Sequence, residues 1–234
     1  HPNTADLVYF SSPTPGAAND AGGLARVADT NFSPDRGFYQ NAIDVTISSD
    51  TPDAIIYYTT DGTPPVDDLG NPTANAVAYT GPVAITQTTP LRAAATKAGF
   101  APTNIDAHTY ILLDIDNANA DGTDPAGLNT AFLQQTRPSG WGGGNYDMDT
   151  TVTQNTTPAT GHATSTAQTM LLGMRDIPTF SVVMDRDDFA GGSGIYSNAG
   201  NRSLQYPCSV EFIPIEGDSR SDWQINCGIK VFGG

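Results

Sequence analysis

The sequence predicts an all-β protein with an antiparallel β-sandwich followed by a second, smaller β-rich unit and little helix. The first observation is a series of short β-branched and aromatic runs in residues 32–112, separated by turn residues at intervals of about ten. The second is strict alternation of apolar and polar residues within a run. The third is the return of similar runs after residue 176, which predict strands at residues 180–184, 194–196, 209–215 and 223–232. Together they indicate two β-rich regions joined by a different kind of segment.

The sandwich is expected to contain strands whose apolar residues point to one side. In the first of them Ile43, Val45 and Ile47 alternate with Asp44 and Thr46, so one face should lie in the core. The strands predicted by such runs cover residues 43–48, 54–60, 77–80, 83–86, 91–97 and 108–112.

The strand over residues 54–60 is expected to end in a tight turn. Gly62 can adopt a positive φ, and Asp61 can accept hydrogen bonds from the backbone amides that follow it. We therefore interpret Asp61 as a turn-capping residue rather than a catalytic acid.

Composition divides the chain into four segments. Residues 1–31 are rich in Pro, Gly, Ala and Asn and are expected to link the sandwich to an upstream domain. Residues 32–112 form the sandwich, residues 113–175 an acidic, Thr-rich and Gly-rich connector with a short helix at 128–135, and residues 176–234 the second β-rich unit. Because the chain begins with His1 and ends in a strand-like run, we expect it to be a piece of a larger protein.

The charge of the chain argues against binding to nucleic acid or to membranes. Its 25 acidic residues outweigh 10 basic ones, for a formal charge of −15, and the basic residues are scattered singly. Such a surface repels phosphate backbones and anionic lipid, and no apolar run approaches the roughly 20 residues of a membrane helix. An acidic surface suits divalent cations outside the cell, so we expect a secreted or cell-surface protein.

The connector carries a candidate calcium loop. Oxygen-bearing side chains stand at alternate positions before a glycine, as in dockerin and EF-type loops. The Glu that ends such loops is missing, since Leu128 stands at the expected position. A solvated acidic linker is the alternative. The candidate ligands are Asp114, Asp116, Asn117, Asn119, Asp121 and Asp124.

The cysteines of the chain are Cys208 and Cys227, which lie in neighbouring β-like segments that a hairpin would bring together. A disulfide between them, worth about 3 kcal/mol by chain entropy, would fit an oxidising compartment. Two small buried thiols in one core are the alternative. No His adjoins either cysteine in sequence, so neither is expected to be catalytic.

A complete catalytic site is not recognisable. The nearest approach to a serine-hydrolase elbow has Ile195 where the last glycine belongs, which leaves Ser193 as a weak nucleophile candidate and His162 as a weak base. Phosphate-binding loops, dinucleotide fingerprints and zinc-protease motifs are missing, and no organic cofactor is expected.

Two groups of carboxylates are candidates for glycoside hydrolysis by number alone. Such a pair must be held about 5 to 9 Å apart, and a chain this acidic supplies many pairs by chance. A surface or cation-binding role is therefore favoured for both groups. They are Asp147 with Asp149, and Asp185 with Asp187 and Asp188.

Three aromatic residues are candidates for stacking on sugars. Trp141 and Tyr146 lie in or beside a Gly-rich stretch, and Trp223 lies in the second β-rich unit. An aromatic ring offers a broad apolar face, with a polar atom at its edge in Trp and Tyr. The alternative for Trp141 is a structural role, in which the ring pins the Gly-rich loop to its neighbour.

Four ordered motifs in the sandwich carry a family resemblance. They are FSP at 32–34 with GFY at 37–39, YYTTDGTP at 57–64, YTGP at 79–82, and LRAAA at 91–95 with KAG at 97–99. In this order they resemble the fibronectin-III-like module at the C-terminus of chitobiases and β-hexosaminidases. The resemblance covers about a third of the chain. It implies an immunoglobulin-like accessory sandwich, not a catalytic domain.

The last third carries a second set of ordered motifs. They are IPTFSVV at 177–183, DDF at 187–189, GIYSN at 194–198, PCSVEF at 207–212 and GIKVFGG at 228–234, with QQTRP at 134–138, GW at 140–141 and YDMD at 146–149 before them. In this order they resemble the segment that leads into the spore-coat-protein-H (CotH) kinase-like domain of large secreted bacterial proteins. That family's nucleotide-binding and metal-binding residues lie downstream of the final Gly-Gly, so none is carried over.

The sequence is consistent with two functions. The first is a non-catalytic accessory, adhesion or carbohydrate-associated module of a secreted or cell-surface bacterial protein, with polysaccharide or cell-surface material as partner. The second is a hydrolase of ester or glycosidic bonds whose active site is assembled from loops. The missing catalytic constellation and the accessory sandwich favour the first.

Overall fold

The structure is a computed structural model that describes residues 24–112, 166–215 and 217–232. These residues form three β-sheets and two short helices, which confirms the predicted all-β fold class. The strands are β1 (Thr30–Ser33), β2 (Gly37–Tyr39), β3 (Ile43–Ser49), β4 (Ile55–Thr59), β5 (Val77–Ala78), β6 (Val83–Ile85), β7 (Thr89–Thr96), β8 (Asp106–Leu112), β9 (Thr179–Val183), β10 (Tyr206–Ile213) and β11 (Trp223–Ile229). The helices are α1 (Thr166–Arg175) and α2 (Arg186–Ala190).

Two sheets form the sandwich. One has the strand order β1-β3-β6, and the other has the order β2-β8-β7-β4-β5. The short β2 runs parallel to β8, whereas the other strand pairs of the sandwich are antiparallel. The core between the sheets is built from the inward residues of both, with Val45, Ile47, Ile85, Leu91 and Tyr110 each at most 3% exposed.

The alternation seen in the sequence of β3 holds in space. Val45 and Ile47 are buried, whereas Asp44 and Thr46 are exposed. The sandwich also includes residues before position 32, because β1 begins at Thr30 and the Val27 side chain lies in the core.

The third sheet has the strand order β11-β10-β9 and is antiparallel throughout. It packs against the sandwich at β8, so this strand is covered on both faces. Residues of β10 that face the sandwich, Ser209, Glu211 and Ile213, are at most 2% exposed. The second β-rich unit therefore rests on the first.

One predicted strand is wrong. Residues 194–196 form turns that fold back on α2, where the Ile195 N–H donates to the Asp188 carbonyl and the Tyr196 N–H to that of Phe189, each at 2.9 Å. A Cβ on Gly194 would lie 2.6 Å from the Phe189 carbonyl oxygen. The close approach of two backbone segments, which needs glycine, replaces a sheet pairing here.

Helix content also differs from the prediction. The helix α1 occupies the end of the connector, where the sequence is polar and Thr-rich at its start, and no helix was predicted there. The helix predicted at residues 128–135 lies outside the described residues. Neither described helix is long and apolar enough to cross a membrane.

Candidate functional site

The exposed face of the third sheet carries a row of three aromatic rings. Phe180 of β9 and Trp223 of β11 are both register partners of Phe212 in the central strand β10. Directly opposed residues on neighbouring strands bring their side chains together. The ring centroids of Phe180 and Phe212 lie 5.3 Å apart, and those of Phe212 and Trp223 6.0 Å apart. We call Phe180, Phe212 and Trp223 the aromatic platform.

The outer members of the platform face solvent and the middle one supports them. Phe180 is 63% and Trp223 41% exposed, whereas Phe212 is only 4% exposed. The guanidinium carbon of Arg220 lies 4.9 Å from the centroid of the Phe212 ring. Arg220 is itself held by Asp218, to which its Nε donates at 3.0 Å. The platform thus combines apolar ring faces with charged hydrogen-bonding groups at its border.

An aliphatic row continues the platform along the strands. Val210 is opposed by Val182 on one side and by Ile225 on the other. Val182 and Ile225 are each about half exposed. Exposed apolar surface of this extent is uncommon on a soluble protein and marks an interaction site or a buried interface.

A buried polar cluster lies where the third sheet meets the sandwich. The Glu211 side chain, on the opposite face of β10 from the platform, has no exposed surface. Its Oε1 accepts a hydrogen bond of 2.9 Å from the backbone N–H of Thr109, and its Oε2 accepts from the Thr109 hydroxyl. The Thr109 hydroxyl also lies 2.7 Å from that of Ser181 in β9.

Arg36 is the counter-charge of this cluster. Its Nε lies 3.6 Å from Glu211 and 3.3 Å from Asp222, as ion pairs that are not aligned for hydrogen bonds. Its Nη2 lies 2.9 Å from His108 Nε2. Since a guanidinium only donates, this ring nitrogen accepts and Nδ1 carries the hydrogen. His108 Nδ1 lies 2.8 Å from Asp35, close but also off the direction of a good hydrogen bond. We call Asp35, Arg36, His108, Thr109 and Glu211 the interface cluster.

Burial and contacts shift the pKa values of the two carboxyl groups of the cluster, Glu211 and Asp35, in opposite directions. Burial raises the pKa of Glu211, although hydrogen bonds from Thr109 and the charge of Arg36 oppose this. Contact with His108 lowers the pKa of Asp35, and burial opposes it. The side chains of Glu211, Arg36, His108 and Thr109 are buried between two sheets, so the arrangement is suited to holding the sheets together rather than to reacting with a substrate.

A cleft of about 410 Å³ opens between the sandwich and the third sheet. Arg92 and Arg26 line it, but both guanidinium groups hold the protein's own carbonyl groups: Arg92 Nη1 donates to Gly62 O at 2.7 Å, and Arg26 Nε donates to Pro102 O at 3.2 Å. Cys208 and Cys227 line the other wall. The described residues that line this cleft include no histidine that could act as a base.

The cysteines are brought together as a pair. Cys208 and Cys227 are register partners on β10 and β11, and their Sγ atoms lie 3.5 Å apart. Both are free thiols in this structure, with Cys208 buried and Cys227 exposed.

The described acidic candidates have structural contacts. Asp61 caps its turn as predicted: its Oδ1 accepts from the Thr63 N–H at 3.0 Å, and Gly62 has a φ of +84°. Asp185 caps α2 by accepting from the Asp187 N–H at 2.8 Å. The pKa of Asp188 is raised by burial and by repulsion from Asp185 and Asp187.

Ser193, the nucleophile candidate, lies exposed in the turns after α2. Its described hydrogen bond uses the backbone carbonyl, which accepts from the Tyr206 hydroxyl at 2.8 Å.

The remaining candidates lie outside the described residues. They are the catalytic candidates His162, Asp147 and Asp149, the stacking candidates Trp141 and Tyr146, and the calcium candidates Asp114, Asp116, Asn117, Asn119, Asp121 and Asp124.

The sequence predicted Trp223 as a stacking residue but did not indicate its partners Phe180 and Phe212. The apolar alternation within residues 179–183 was a usable signal for an exposed or buried row. The register that aligns three strands was not readable, because it depends on pairing across long stretches of chain.

The sandwich has a match among known families. Residues 34–106 match the family of the chitobiase/beta-hexosaminidase C-terminal domain, which confirms the resemblance inferred from the four motifs. This domain is a carbohydrate-associated accessory module. The matched part is about a third of the chain. No curated protein and no solved structure matches the chain.

Proposed function

We propose that this chain is a non-catalytic, carbohydrate-associated accessory module and that its third sheet binds a glycan through the aromatic platform. The observation that carries the proposal is the pair of exposed rings, Phe180 and Trp223, on either side of Phe212. The apolar faces of pyranose rings stack on exposed aromatic faces, which offer a large contact area at little cost in side-chain entropy.

The rigidity of the platform supports this function. Its three residues stand on paired strands of one sheet, and Phe212 is clamped between its neighbours and Arg220. Groups on strands hold their positions better than groups on loops, so little ordering remains to be done on binding.

The charge of the chain narrows the class of glycan. At −15, the protein repels acidic polysaccharides. Arg220 and Asp218 at the border of the platform can exchange hydrogen bonds with hydroxyl groups. We therefore expect neutral polysaccharides to bind in preference to uronic-acid-rich or sulfated ones.

The host protein is proposed to be a secreted or cell-surface bacterial protein in which this chain leads into a CotH kinase-like domain. The resemblance of residues 177–234 to that lead-in supports this context, as does the acidic surface. The acidic connector is proposed to bind calcium there. The structural uses of Asp61 and Asp185 as caps favour the accessory function over a hydrolase.

The test is affinity electrophoresis through gels that contain a neutral polysaccharide, together with pull-down on insoluble glycans. We expect retardation of the wild-type chain and a loss of about tenfold or more in affinity for Trp223→Ala and Phe180→Ala, because truncating an aromatic anchor of a binding site typically costs about 2 kcal/mol or more. Leu69→Ala is the matched control, because Leu69 is 82% exposed and lies in the sandwich.

Two results would contradict the proposal. One is a wild-type chain that no neutral glycan retards. The other is equal retardation of the wild type and the Trp223→Ala variant, with both chains shown to be folded by their melting temperatures.

A further inference from the structure

We propose that Cys208 and Cys227 are a redox pair that closes to a cross-strand disulfide and so joins the edge strand β11 covalently to β10. This inference is independent of glycan binding. The two cysteines form the next cross-strand row of the third sheet, after the aromatic platform and the aliphatic row of Val182, Val210 and Ile225.

The backbone already satisfies the geometry of the bond. Directly opposed residues on antiparallel strands have Cα atoms about 4.5 or 5.5 Å apart, depending on the type of pair. Both Cα separations fall within the range of roughly 4.4–6.8 Å found for disulfides. The Sγ atoms are 3.5 Å apart, so rotation of the side chains can bring them to the bonding distance of about 2.0 Å without moving either strand.

The two thiols differ in access. Cys227 is exposed, whereas Cys208 is 3% exposed. Burial, together with its hydrogen bond to Cys227, raises the pKa of Cys208 to about 11. Since the thiolate is the attacking species, Cys227 reacts first with an external oxidant.

The oxidant is a small-molecule disulfide such as oxidised glutathione. The Cys227 thiolate attacks one sulfur of the oxidant, forms a mixed disulfide and releases one thiolate. Cys208 then loses its proton, attacks Cys227 Sγ and releases the second. Two protein thiols have been oxidised by two electrons, the oxidant has been reduced to two thiols, and the two protons are taken up by the released thiolates.

The bond would fix β11, a strand that contributes to the aromatic platform and also contacts the sandwich. In the described residues β11 pairs with β10 on one side only. It carries Trp223, and its Asn226 Nδ2 donates to the Ile105 carbonyl at 2.7 Å. A covalent link next to Asn226 would keep both contacts from opening when the edge strand frays.

The test uses the full chain in buffers that contain reduced and oxidised glutathione at varied ratios. Remaining thiols are alkylated, counted by mass spectrometry, and mapped by peptide analysis. We expect free thiols to fall from two to none per chain, a mass decrease of about 2 Da for the two hydrogens lost, and a higher melting temperature in the oxidised protein.

Single variants define the order of reaction. Cys208→Ser is expected to stop at a stable mixed disulfide on Cys227, and Cys227→Ser is expected to react at least tenfold more slowly at Cys208. The proposal is overturned if both wild-type thiols stay free in fully oxidised buffer. It is also overturned if the product is a lasting mixed disulfide or a disulfide-linked dimer, or if the two variants react at equal rates.

Discussion

Glu211 in β10 and Thr109 in β8 are joined by two hydrogen bonds, although 102 residues separate them in the chain. One is donated by the backbone N–H of Thr109 and one by its hydroxyl. Through this pair the third sheet is anchored to the outer face of the sandwich. The buried carboxylate is balanced by Arg36, which also contacts His108. The two β-rich regions are thus expected to unfold together.

Removal of the Glu211 carboxylate should destabilise the whole described fold. We expect Glu211→Ala to lower the free energy of unfolding by about 3–5 kcal/mol, because Arg36 is left buried with less counter-charge and two Thr109 donors lose their acceptor. Urea denaturation followed by fluorescence measures this change. Asp44→Ala on the exposed face of β3 is the control and should stay within about 0.5 kcal/mol. Two separate unfolding transitions in the wild type would contradict the anchoring.

The raised pKa of Glu211 predicts a particular pH dependence. The folded protein holds the proton on this carboxyl group more tightly than the unfolded chain does. Stability from this group is therefore greatest at low pH and falls as pH rises from the ordinary value of 4.5 through the raised folded pKa. In Glu211→Gln this loss should disappear, so the stability advantage of the wild type shrinks with rising pH.

Asp35 contributes to stability in a different pH range from Glu211. Its pKa is lowered, so its contribution is present above the ordinary value of 3.8 and is lost only as pH falls below it. Denaturation curves across both ranges distinguish the two groups. An advantage of the wild type over Glu211→Gln that grows from pH 4.5 upward would show that the sign assigned to Glu211 is wrong.

Gly62 offers a test of the contact between the sandwich and the chain after β9. Its φ is +84°, and a Cβ there would lie 2.8 Å from the Met184 carbonyl oxygen. We expect Gly62→Ala to cost about 1–3 kcal/mol through backbone strain, and more through this collision. Gly99→Ala is the matched control, because Gly99 has a φ of +81° with nothing within 4 Å of the added Cβ. Equal melting temperatures for the two variants would argue against the contact with Met184.

The platform residues should divide into a supporting and a contacting class. Phe212 is buried, so Phe212→Ala should cost about 3–5 kcal/mol of stability. Trp223→Ala should affect glycan binding more than stability, because the side chain is 41% exposed in the free protein. Melting curves and gel retardation of both variants measure the two effects. A larger loss of stability in Trp223→Ala than in Phe212→Ala would reverse the assignment.

Calcium binding by the connector is testable by thermal unfolding. A cation that binds the folded chain raises the melting temperature by mass action. We expect a higher midpoint with calcium than with EDTA. Replacement of Asp114, Asp116 and Asp121 by Asn should abolish the difference. An unchanged midpoint in the wild type would identify the connector as an ordinary acidic segment.

Local patterns in the sequence were sufficient for much of the sandwich. The alternation of residues 43–47 predicted β3 and its buried face, because side chains of a strand point alternately to its two sides. Asp61 and Gly62 predicted their turn from local chemistry alone. The same approach missed the very short β2 and assigned a strand to residues 194–196, where the Gly194 backbone packs closely against α2.

The candidate site was less predictable from the sequence than the sandwich. Trp223 was identifiable as a stacking residue, but Phe180 and Phe212 joined it only through strand register. Glu211 in the middle of an apolar strand would ordinarily face water, and its burial depends on Thr109 and Arg36 from a distant part of the chain.

The sequence by itself determined the all-β class, most strands of the sandwich, the cap at Asp61 and the acidic surface, since each follows from neighbouring residues. Only the tertiary structure decided that the third sheet covers β8, which side of it is left exposed, and which aromatic rings and thiols meet. These features depend on pairing and packing between segments far apart in the chain, and hydrophobic periodicity within a segment does not specify its partner.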